Sequence, residues 1–316
     1  MESRDRHSRE LDIYYNEHKD FCSNCRKAFV DGMCAHLGYL SDHSPAVLCD
    51  DCAPSLAETV VRYHWRKDEY EKPNPTDILW RYMDLGKFIH LISTEKLYFA
   101  SADSFEDPFE GAKGIVERKD VWDCFYLNVF REAIKTVPGA PPEMLEPRHV
   151  EKEAQRLLGE MTQLNNLSRK HVFISCWHNN SYESEAMWKL YSVNTQNAVA
   201  IQTTAEHLYL ALNRNPDVRI GKVKYVDYNN RFTSENGAYW YKRKSFEHER
   251  EVRAIAIDYK SENGITIPID INTLIDCIYI SPYAPKWFEE VVRSVVEKFG
   301  LSVPIVCSDM ARKPFY

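Results

Sequence analysis

The chain has 316 residues, and its 40 lysines and arginines against 47 aspartates and glutamates give a formal net charge of −7. Hydrophobic residues make up 44%, which excludes wholesale disorder, and the acidic balance excludes a broad, non-specific grip on nucleic acid. No apolar run of about 18 residues and no apolar secretory segment occurs, so we expect no membrane span and a cytoplasmic location.

Two pairs of cysteines near the start of the chain have the spacing of a metal site. Nine cysteines occur in all, and five of them fall within residues 22–52. Cys22 and Cys25 form one C-x2-C pair, Cys49 and Cys52 form the other, and 23 residues separate the two pairs. Four thiolates at this spacing can close the tetrahedral shell of a structural Zn²⁺, with free or buried thiols as the alternative.

The surroundings of these pairs indicate the kind of module. Residues 53–72 are predicted to form a helix, and a second cysteine pair that opens a helix resembles treble-clef zinc fingers. Residues 1–72 carry 10 Lys and Arg against 14 Asp and Glu, which favours a protein partner or a purely structural role over nucleic acid. Cys34, His36 and His43 lie between the pairs and could replace a ligand or hold a second ion.

The clearest boundary in the chain is the proline-rich stretch KPNPTD at residues 72–77. The sequence therefore predicts two domains, a zinc-finger unit with a connecting helix at 1–72 and a larger domain at 73–316. We expect an α+β fold with a mixed, largely antiparallel sheet and flanking helices. After a partly helical lead-in at 1–20, strands are predicted at 78–84, 171–178, 197–204, 219–228, 245–258, 276–282 and 303–309, a helix followed by a strand at 86–100, and helices at 115–136, 149–167, 184–192 and 284–300.

Three segments of the larger domain carry a family resemblance. In order, they are an aromatic opening strand followed by Asp-Pro-x-Glu, a Trp…Met-Trp…Tyr segment, and Lys…Phe…Glu-x-Glu-x-Arg. Together they resemble a bacterial family known as domain of unknown function 2971, over roughly residues 78–258. The matching residues are Tyr82, Asp107, Pro108, Glu110, Trp177, Met187, Trp188, Tyr191, Lys242, Phe246, Glu249, Glu251 and Arg253.

Alternation along residues 245–258 predicts a strand with Glu249, Glu251 and Arg253 on one face. Two carboxylates this close repel each other, so the pKa of one should rise, which suits acid–base work or the stabilisation of a developing cation. A solvated edge with Glu–Arg pairs is the alternative. Both faces become apolar toward the end of the segment, as in a central strand whose carboxylates lie at the rim of a covered face.

The same glutamates give the chain a resemblance to ADP-ribosyltransferases, in which an arginine or histidine on the first strand, a serine or tyrosine on a middle strand and a late glutamate form the site. Arg81, Ser175 and Glu249 or Glu251 occur in that order on three predicted strands, although Cys176 and Trp177 replace the usual residues after the serine. The resemblance implies NAD as substrate, these four residues as the catalytic set, and aromatic stacking by Tyr82, Trp177 and Trp188.

Other residues leave the function open. Asp107 and Glu110 flank Pro108 in a predicted turn. These two residues, like Arg253, are candidates for contact with substrate, and the alternative is that the segment is only an Asx-type turn.

Three functions remain in competition. The first hypothesis is a cytoplasmic NAD-consuming enzyme, in phage defence or a toxin system. The second is a non-catalytic zinc-bearing interaction module. The third is a nucleic-acid enzyme that uses Mg²⁺ at Asp107, Glu110, Glu249 and Glu251.

Overall fold

The computed structural model describes residues 2–192, 194–234, 237–261 and 263–316, with side chains from residue 9 onward. Its contacts divide the chain into two compact units, which are described separately. The first unit comprises the chain up to Glu69 together with Leu212–Arg219, and the second comprises Tyr70–Ala211 and Ile220–Tyr316. The domain boundary at residue 72 stays a prediction. No helix in the described ranges is long and apolar enough to cross a membrane.

The first unit is a helix with a small antiparallel sheet. Helix α1 spans Glu2–His18, and strands β1 (Cys34–Tyr39), β2 (Pro45–Cys49) and β3 (Glu58–His64) pair in the order β2-β1-β3. Ala35 and Leu37 of β1 point into the core, whereas their neighbours Cys34 and His36 are only partly buried, as the two-residue period of a strand requires. The other buried members of this core are Leu11, Cys22, Phe29, Tyr39, Ala46, Val47, Leu48, Cys49 and Trp65.

The helix predicted over residues 53–72 is wrong. Cys52 is followed by a single 3₁₀ turn, Ala53–Ser55, and the chain then extends into β3, which pairs with β1. The sequence ETVVRYH of β3 is rich in β-branched and aromatic residues, which pack well on a pleated surface and lose rotamer freedom in a helix. The treble-clef resemblance therefore fails at its helix.

The second unit contains a nine-stranded mixed sheet, which confirms the predicted α+β class. The strands are β4 Ile78–Asp84, β5 Lys96–Ser101, β6 Val172–Asn179, β7 Ala198–Thr204, β8 Val218–Lys222, β9 Lys224–Val226, β10 Tyr241–Arg243, β11 Glu251–Ile257, β12 Ile265–Pro268, β13 Cys277–Ile280 and β14 Ile305–Cys307. Their order in the sheet is β12-β5-β6-β4-β7-β13-β14, and β11 also pairs with β6 and β8 with β11. The pairs β4–β6, β4–β7, β5–β6, β5–β12, β6–β11 and β7–β13 are antiparallel, whereas β13 and β14 are parallel. Strands β9 and β10 form a separate parallel pair.

The helices described in this unit are α2 Leu85–Thr94, α3 Lys119–Lys135, α4 Pro147–His171, α5 Glu185–Tyr191, α6 Ala205–Ala211, α7 Ile271–Leu274 and α8 Lys286–Lys298. Five of these seven, α2, α3, α4, α5 and α8, lie close to the predicted positions. Ser184 caps α5 by accepting a hydrogen bond from the amide of Met187, because a side-chain oxygen at this position satisfies an amide that the helix leaves free. Strands β1, β2 and β12 and the short helices α6 and α7 lack a strong sequence pattern and are not foreseen.

Strand β6 is the point where the sheet forks. One edge of β6 pairs along its whole length with β11. The other edge is shared, since β5 pairs only with Phe173 and Ile174 and β4 pairs only with His178 and Asn179. Residues 175–177 therefore face a gap between β4 and β5. A gap in a hydrogen-bonded sheet exposes backbone groups that need other partners, and it opens the sheet to a ligand.

Candidate active site

A cavity of about 510 Å³ lies at this fork, a volume typical of small-molecule sites. Its walls come from β4, β5, β6, α2 and α5 and from the segment that leads into β11. The structure brings five of the candidate catalytic and substrate-binding residues to this one cavity: Arg81, Tyr82, Trp177, Glu249 and Glu251.

The register shows how one cavity reaches groups from both faces of the sheet. His178 lies directly opposite both Trp80 of β4 and Glu251 of β11, so these three side chains share a face. Arg81 and Trp177, the next residues along, project from the other face. A cavity on one side of an intact sheet would be lined by side chains from only one face. The gap between β4 and β5 lets this cavity reach side chains from both faces.

Arg81 fills the gap between β4 and β5. Its Nη1 donates a hydrogen bond to the hydroxyl of Ser175, and its Nη2 donates to the carbonyl of Tyr98 at 3.2 Å. The guanidinium carbon lies 5.5 Å from the ring centre of Trp177, within the range of a cation–π contact. Burial lowers the pKa of Arg81 to about 10, so the group stays cationic at neutral pH. Ser175 is itself buried and lies outside the described cavity lining, so it positions Arg81.

The two glutamates are held together by a buried lysine. The Nζ of Lys242 lies 2.5 Å from a carboxylate oxygen of Glu249 and 3.4 Å from one of Glu251. Glu249 does not lie on the strand as predicted. It ends a 3₁₀ helix, Lys244–Glu249, and Arg250 turns the chain through a left-handed conformation (φ 41°) before β11 begins at Glu251. The prediction of a single row of three charged side chains is therefore wrong, and Lys242 makes the link instead.

Arg253 lies at the centre of this charged group and has no exposed surface. Its Nε lies 2.9 Å from Glu251, and its Nη2 donates to Glu110 at 2.8 Å and to Glu251 at 3.1 Å. The carbonyl of Tyr239 accepts a further hydrogen bond from Nη1. A buried guanidinium is tolerated only when anions and acceptors replace its water. The cluster, defined here as Glu110, Lys242, Glu249, Glu251 and Arg253, contains three carboxylates and two cations, all buried.

Repulsion between the two glutamates is expected to raise the pKa of one of them, but the pKa of Glu251 is lowered. Burial acts to raise the pKa of Glu251, but the charges of Arg253 and Lys242 outweigh it and hold the pKa at about 2. The repulsion between the glutamates is thus overcome by two cations, Arg253 on the same strand and Lys242, which the strand pattern does not reveal. Burial does raise the pKa of Glu110, which lies away from the cavity. Glu251 is a fixed negative charge on the cavity wall at neutral pH.

His178, near the end of β6, also lines the cavity. Its Nδ1 lies 2.6 Å from the carbonyl oxygen of Glu249. A carbonyl only accepts, so Nδ1 carries the proton and Nε2 is an acceptor. This Nε2 is buried and has no partner among the described atoms, and the same is true of Nε1 of Trp177. Burial lowers the pKa of His178, which favours the neutral ring.

The cavity also contains Cys176, whose thiol is a poor nucleophile. Burial raises the pKa of Cys176 well above its usual range, and the charge of Glu251 adds to this shift. Only the thiolate is strongly nucleophilic, so this residue serves as part of the wall.

Four other predicted residues lie outside the described lining of the cavity. Asp107 accepts hydrogen bonds from Arg243 at 2.6 Å and from the amide of Phe109 at 3.1 Å, which is the geometry of an Asx-type turn. Glu110 and Arg253 pair with each other as described above. Trp188 is fully buried, and its Nε1 donates to Glu183 at 3.0 Å.

The Mg²⁺ hypothesis has no geometric support. Asp107 and Glu110 each pair with an arginine, and Glu249 and Glu251 pair with Lys242. Within the described ranges, the groups of His, Cys, Asp and Glu donors that converge as metal ligands would are both built on cysteine.

The first of these groups is the predicted cysteine set. The donor atoms of Cys22, Cys25, Cys49 and Cys52 all lie within 4.8 Å of one another, and the sulfurs of Cys25 and Cys49 are 3.8 Å apart. Two Zn–S bonds of about 2.3 Å at a tetrahedral angle place their sulfurs about 3.8 Å apart, so the four thiols fit one Zn²⁺. The side-chain amide of Asn24 donates to Cys52 at 3.5 Å, a contact that supports a thiolate ligand.

Comparison with known proteins gives a distant structural likeness. No family model matches the chain, so its relation to domain of unknown function 2971 stays an expectation. No curated protein matches it either. Among solved structures, DarT from Thermus sp. 2.9 aligns with it in complexes with carba-NAD+, NAD+ and ADP-ribosylated single-stranded DNA. The TM-scores are 0.34, 0.33 and 0.34 and the identities 10%, 10% and 12%, over 75%, 76% and 76% of this chain and 97%, 98% and 97% of that chain.

Removal of Arg253 tests the charged cluster. We expect Arg253→Ala to lower the free energy of unfolding by about 3–5 kcal/mol, because two buried carboxylates lose their main counter-charge. Urea denaturation of the full chain measures this loss. The control is Arg293→Ala, which removes an exposed pair with Glu289 and should change stability little. Equal, small effects of both substitutions would show that the cluster does not hold the fold.

Removal of metal tests the four-cysteine set. We expect a strong chelator, or Cys25→Ser, to abolish amide protection in β1–β3 and to leave β4–β7 protected, because the first unit is too small to order without its metal. Hydrogen exchange followed by mass spectrometry measures both regions. Cys124→Ser is the matched control, since Cys124 is also exposed but lies outside the set. Unchanged protection of β1–β3 in the Cys25 variant would contradict a structural metal.

Proposed function

We propose that the protein consumes NAD+ by the chemistry of ADP-ribosyltransferases, breaking the bond between nicotinamide and ribose. One observation carries the proposal: the cavity at the fork combines a guanidinium, aromatic rings and a buried carboxylate whose pKa two neighbouring cations hold at about 2. A dinucleotide needs these three kinds of group, for its pyrophosphate, its rings and the positive charge that develops on its ribose.

Arg81 is the proposed contact for the pyrophosphate. A guanidinium carries five N–H donors, and the hydrogen bonds to Ser175 and Tyr98 use two of them. The remaining donors suit phosphate oxygens, and a charge-assisted bond of this kind is stronger in a partly dry site. Because Ser175 and Tyr98 hold the group from β6 and β5, little rotamer freedom is lost when a ligand binds.

The aromatic residues and the N–H of Trp177 are the proposed site for nicotinamide. Trp177, Tyr82 and Tyr191 line the cavity and offer ring surfaces for stacking. Among the described atoms, the N–H of Trp177 has no partner. The carboxamide oxygen of nicotinamide can accept a hydrogen bond from this buried N–H, which is costly to leave unpaired.

Glu251 is the proposed stabiliser of the transition state. As the glycosidic C–N bond breaks, its electron pair goes to the nicotinamide nitrogen, and positive charge develops on the ribose. A carboxylate with a pKa of about 2 carries its charge before the reaction starts, so no reorganisation is needed at that moment. A nucleophile, either water or an acceptor molecule, then bonds to the ribose carbon and loses a proton, and the free Nε2 of His178 is placed to accept it.

We propose a bacterial phage-defence or toxin system in the cytoplasm as the biological setting, on the basis of resemblance. We also propose Zn²⁺ in the four-cysteine set and a protein partner for the first unit. The acceptor of the ADP-ribosyl group is to be identified by an experiment that compares water, protein and single-stranded DNA.

The decisive experiment measures nicotinamide release from NAD+ by the full chain. We expect release by the wild type and a loss of about 10²–10³-fold in kcat for Glu251→Gln, because the amide keeps the size of the side chain but removes its charge. Glu247→Gln is the matched control, since this glutamate lies in the preceding 3₁₀ helix and is exposed. No release by the wild type with any acceptor, or equal rates for both variants, would overturn the proposal.

Ser175 offers a separate test of the Arg81 contact. We expect Ser175→Ala to raise KM for NAD+ several-fold with a smaller effect on kcat, since the guanidinium loses one anchor and binds the pyrophosphate less well in ground and transition states alike. Steady-state kinetics separate the two constants. Ser192→Ala is the control, because Ser192 is also buried and lies outside the described lining. A fall in kcat alone would assign Ser175 to the reaction step instead.

A further inference from the structure

The first unit contains a second convergent set of potential ligands. The side chains of Cys34, His36 and Asp50 each offer a donor atom, and these atoms all lie within 4.8 Å of one another. None of the three belongs to the four-cysteine set. We propose that Cys34, His36 and Asp50 form a second, open Zn²⁺ site, which is independent of the function proposed above.

The fold of the small sheet creates this arrangement. Cys34 and His36 are two residues apart on β1 and therefore project from the same face, opposite the core-facing Ala35 and Leu37. Cys49 at the end of β2 lies directly opposite Ala35, so Asp50, one residue further on, comes to the face of Cys34 and His36. The site is thus fixed by strand register, which places ligands more reliably than a loop does.

The geometry favours a metal over a catalytic triad. In a Cys–His–Asp triad, the acid and the thiol contact different nitrogens of the imidazole ring. Here one nitrogen faces both, because Nε2 of His36 lies 2.7 Å from Asp50 and 4.0 Å from the sulfur of Cys34. Three donors that converge on one point suit an electrophile at that point. The alternative occupant is a proton shared between His36 and Asp50.

The donor set identifies the metal class. A thiolate with an imidazole suits Zn²⁺, and three protein ligands leave the fourth tetrahedral position for water. Asp50 has 58% of its side chain exposed and His36 has 14%, so the fourth position faces solvent. A site of this kind exchanges its metal more readily than a closed four-thiolate site.

Arg62 supports the site from the facing strand. It lies directly opposite His36 on β3, and its Nε donates to the sulfur of Cys34 at 2.9 Å. An N–H donor on a ligand sulfur stabilises the thiolate and orients it. Arg62 has 67% of its side chain exposed, so water screens the repulsion between its charge and the metal.

The test is the metal content of the full chain after saturation with Zn²⁺ and removal of excess. We expect two zinc ions per chain in the wild type and one in Cys34→Ser and in His36→Ala, with the β1–β3 amides protected as in the wild type. The matched controls are Cys307→Ser and His43→Ala, because Cys307 is exposed outside the first unit and His43 lies in it but outside both sets. Both controls should retain two ions.

Titration of the metal-free, reduced chain with Co²⁺ gives a second readout. We expect a first equivalent with strong thiolate-to-cobalt absorption, and a second equivalent with about a quarter of it, because one thiolate replaces four. Cys34→Ser should lose only the second step. One ion per wild-type chain, or a second step that survives Cys34→Ser, would overturn the proposal.

Discussion

The larger unit depends on a buried arginine. Arg253 lies on the strand that covers one whole edge of β6, and it contacts Glu251 on its own strand and Glu110 143 residues earlier in the chain. A charge without access to water is stable only if its partners are all in place. The cluster therefore ties the loop that contains Glu110 to the centre of the sheet. It also fixes Glu251 at the cavity wall and keeps it ionised.

The gap between β4 and β5 also has polar groups that need partners. A strand has two edges, and the second edge of β6 divides between two partners that diverge. Backbone groups at such a gap need replacements for sheet hydrogen bonds, and Arg81 supplies donors where β4 and β5 separate. The residue that closes the gap structurally is thus the one best placed to contact an anionic ligand there.

Local patterns account for much of what could be predicted. Alternation and β-branched content identify β4, β6 and β7, and the cysteine spacing identifies a converging set, because both signals act between close neighbours. The strand β3 was missed because its valines and histidine also suit a helix face. The low pKa of Glu251 depends on Arg253, two residues along the same strand, and on Lys242, whose position only the tertiary fold sets. His178 ends a predicted strand, and its partner is a backbone carbonyl 71 residues away, which no local pattern indicates.

The charge of Glu251 also divides the chemical roles in the cavity. A carboxylate with a pKa of about 2 is too weak a base to remove a proton from a neutral nucleophile, whereas it is well suited to face a cation. His178 has the opposite properties, since burial disfavours its charged form and leaves Nε2 available. In the reaction proposed above, the two groups would therefore take different parts, since their environments push their pKa values apart. In this cavity, the fixed charge and the free base come from facing positions of adjacent strands.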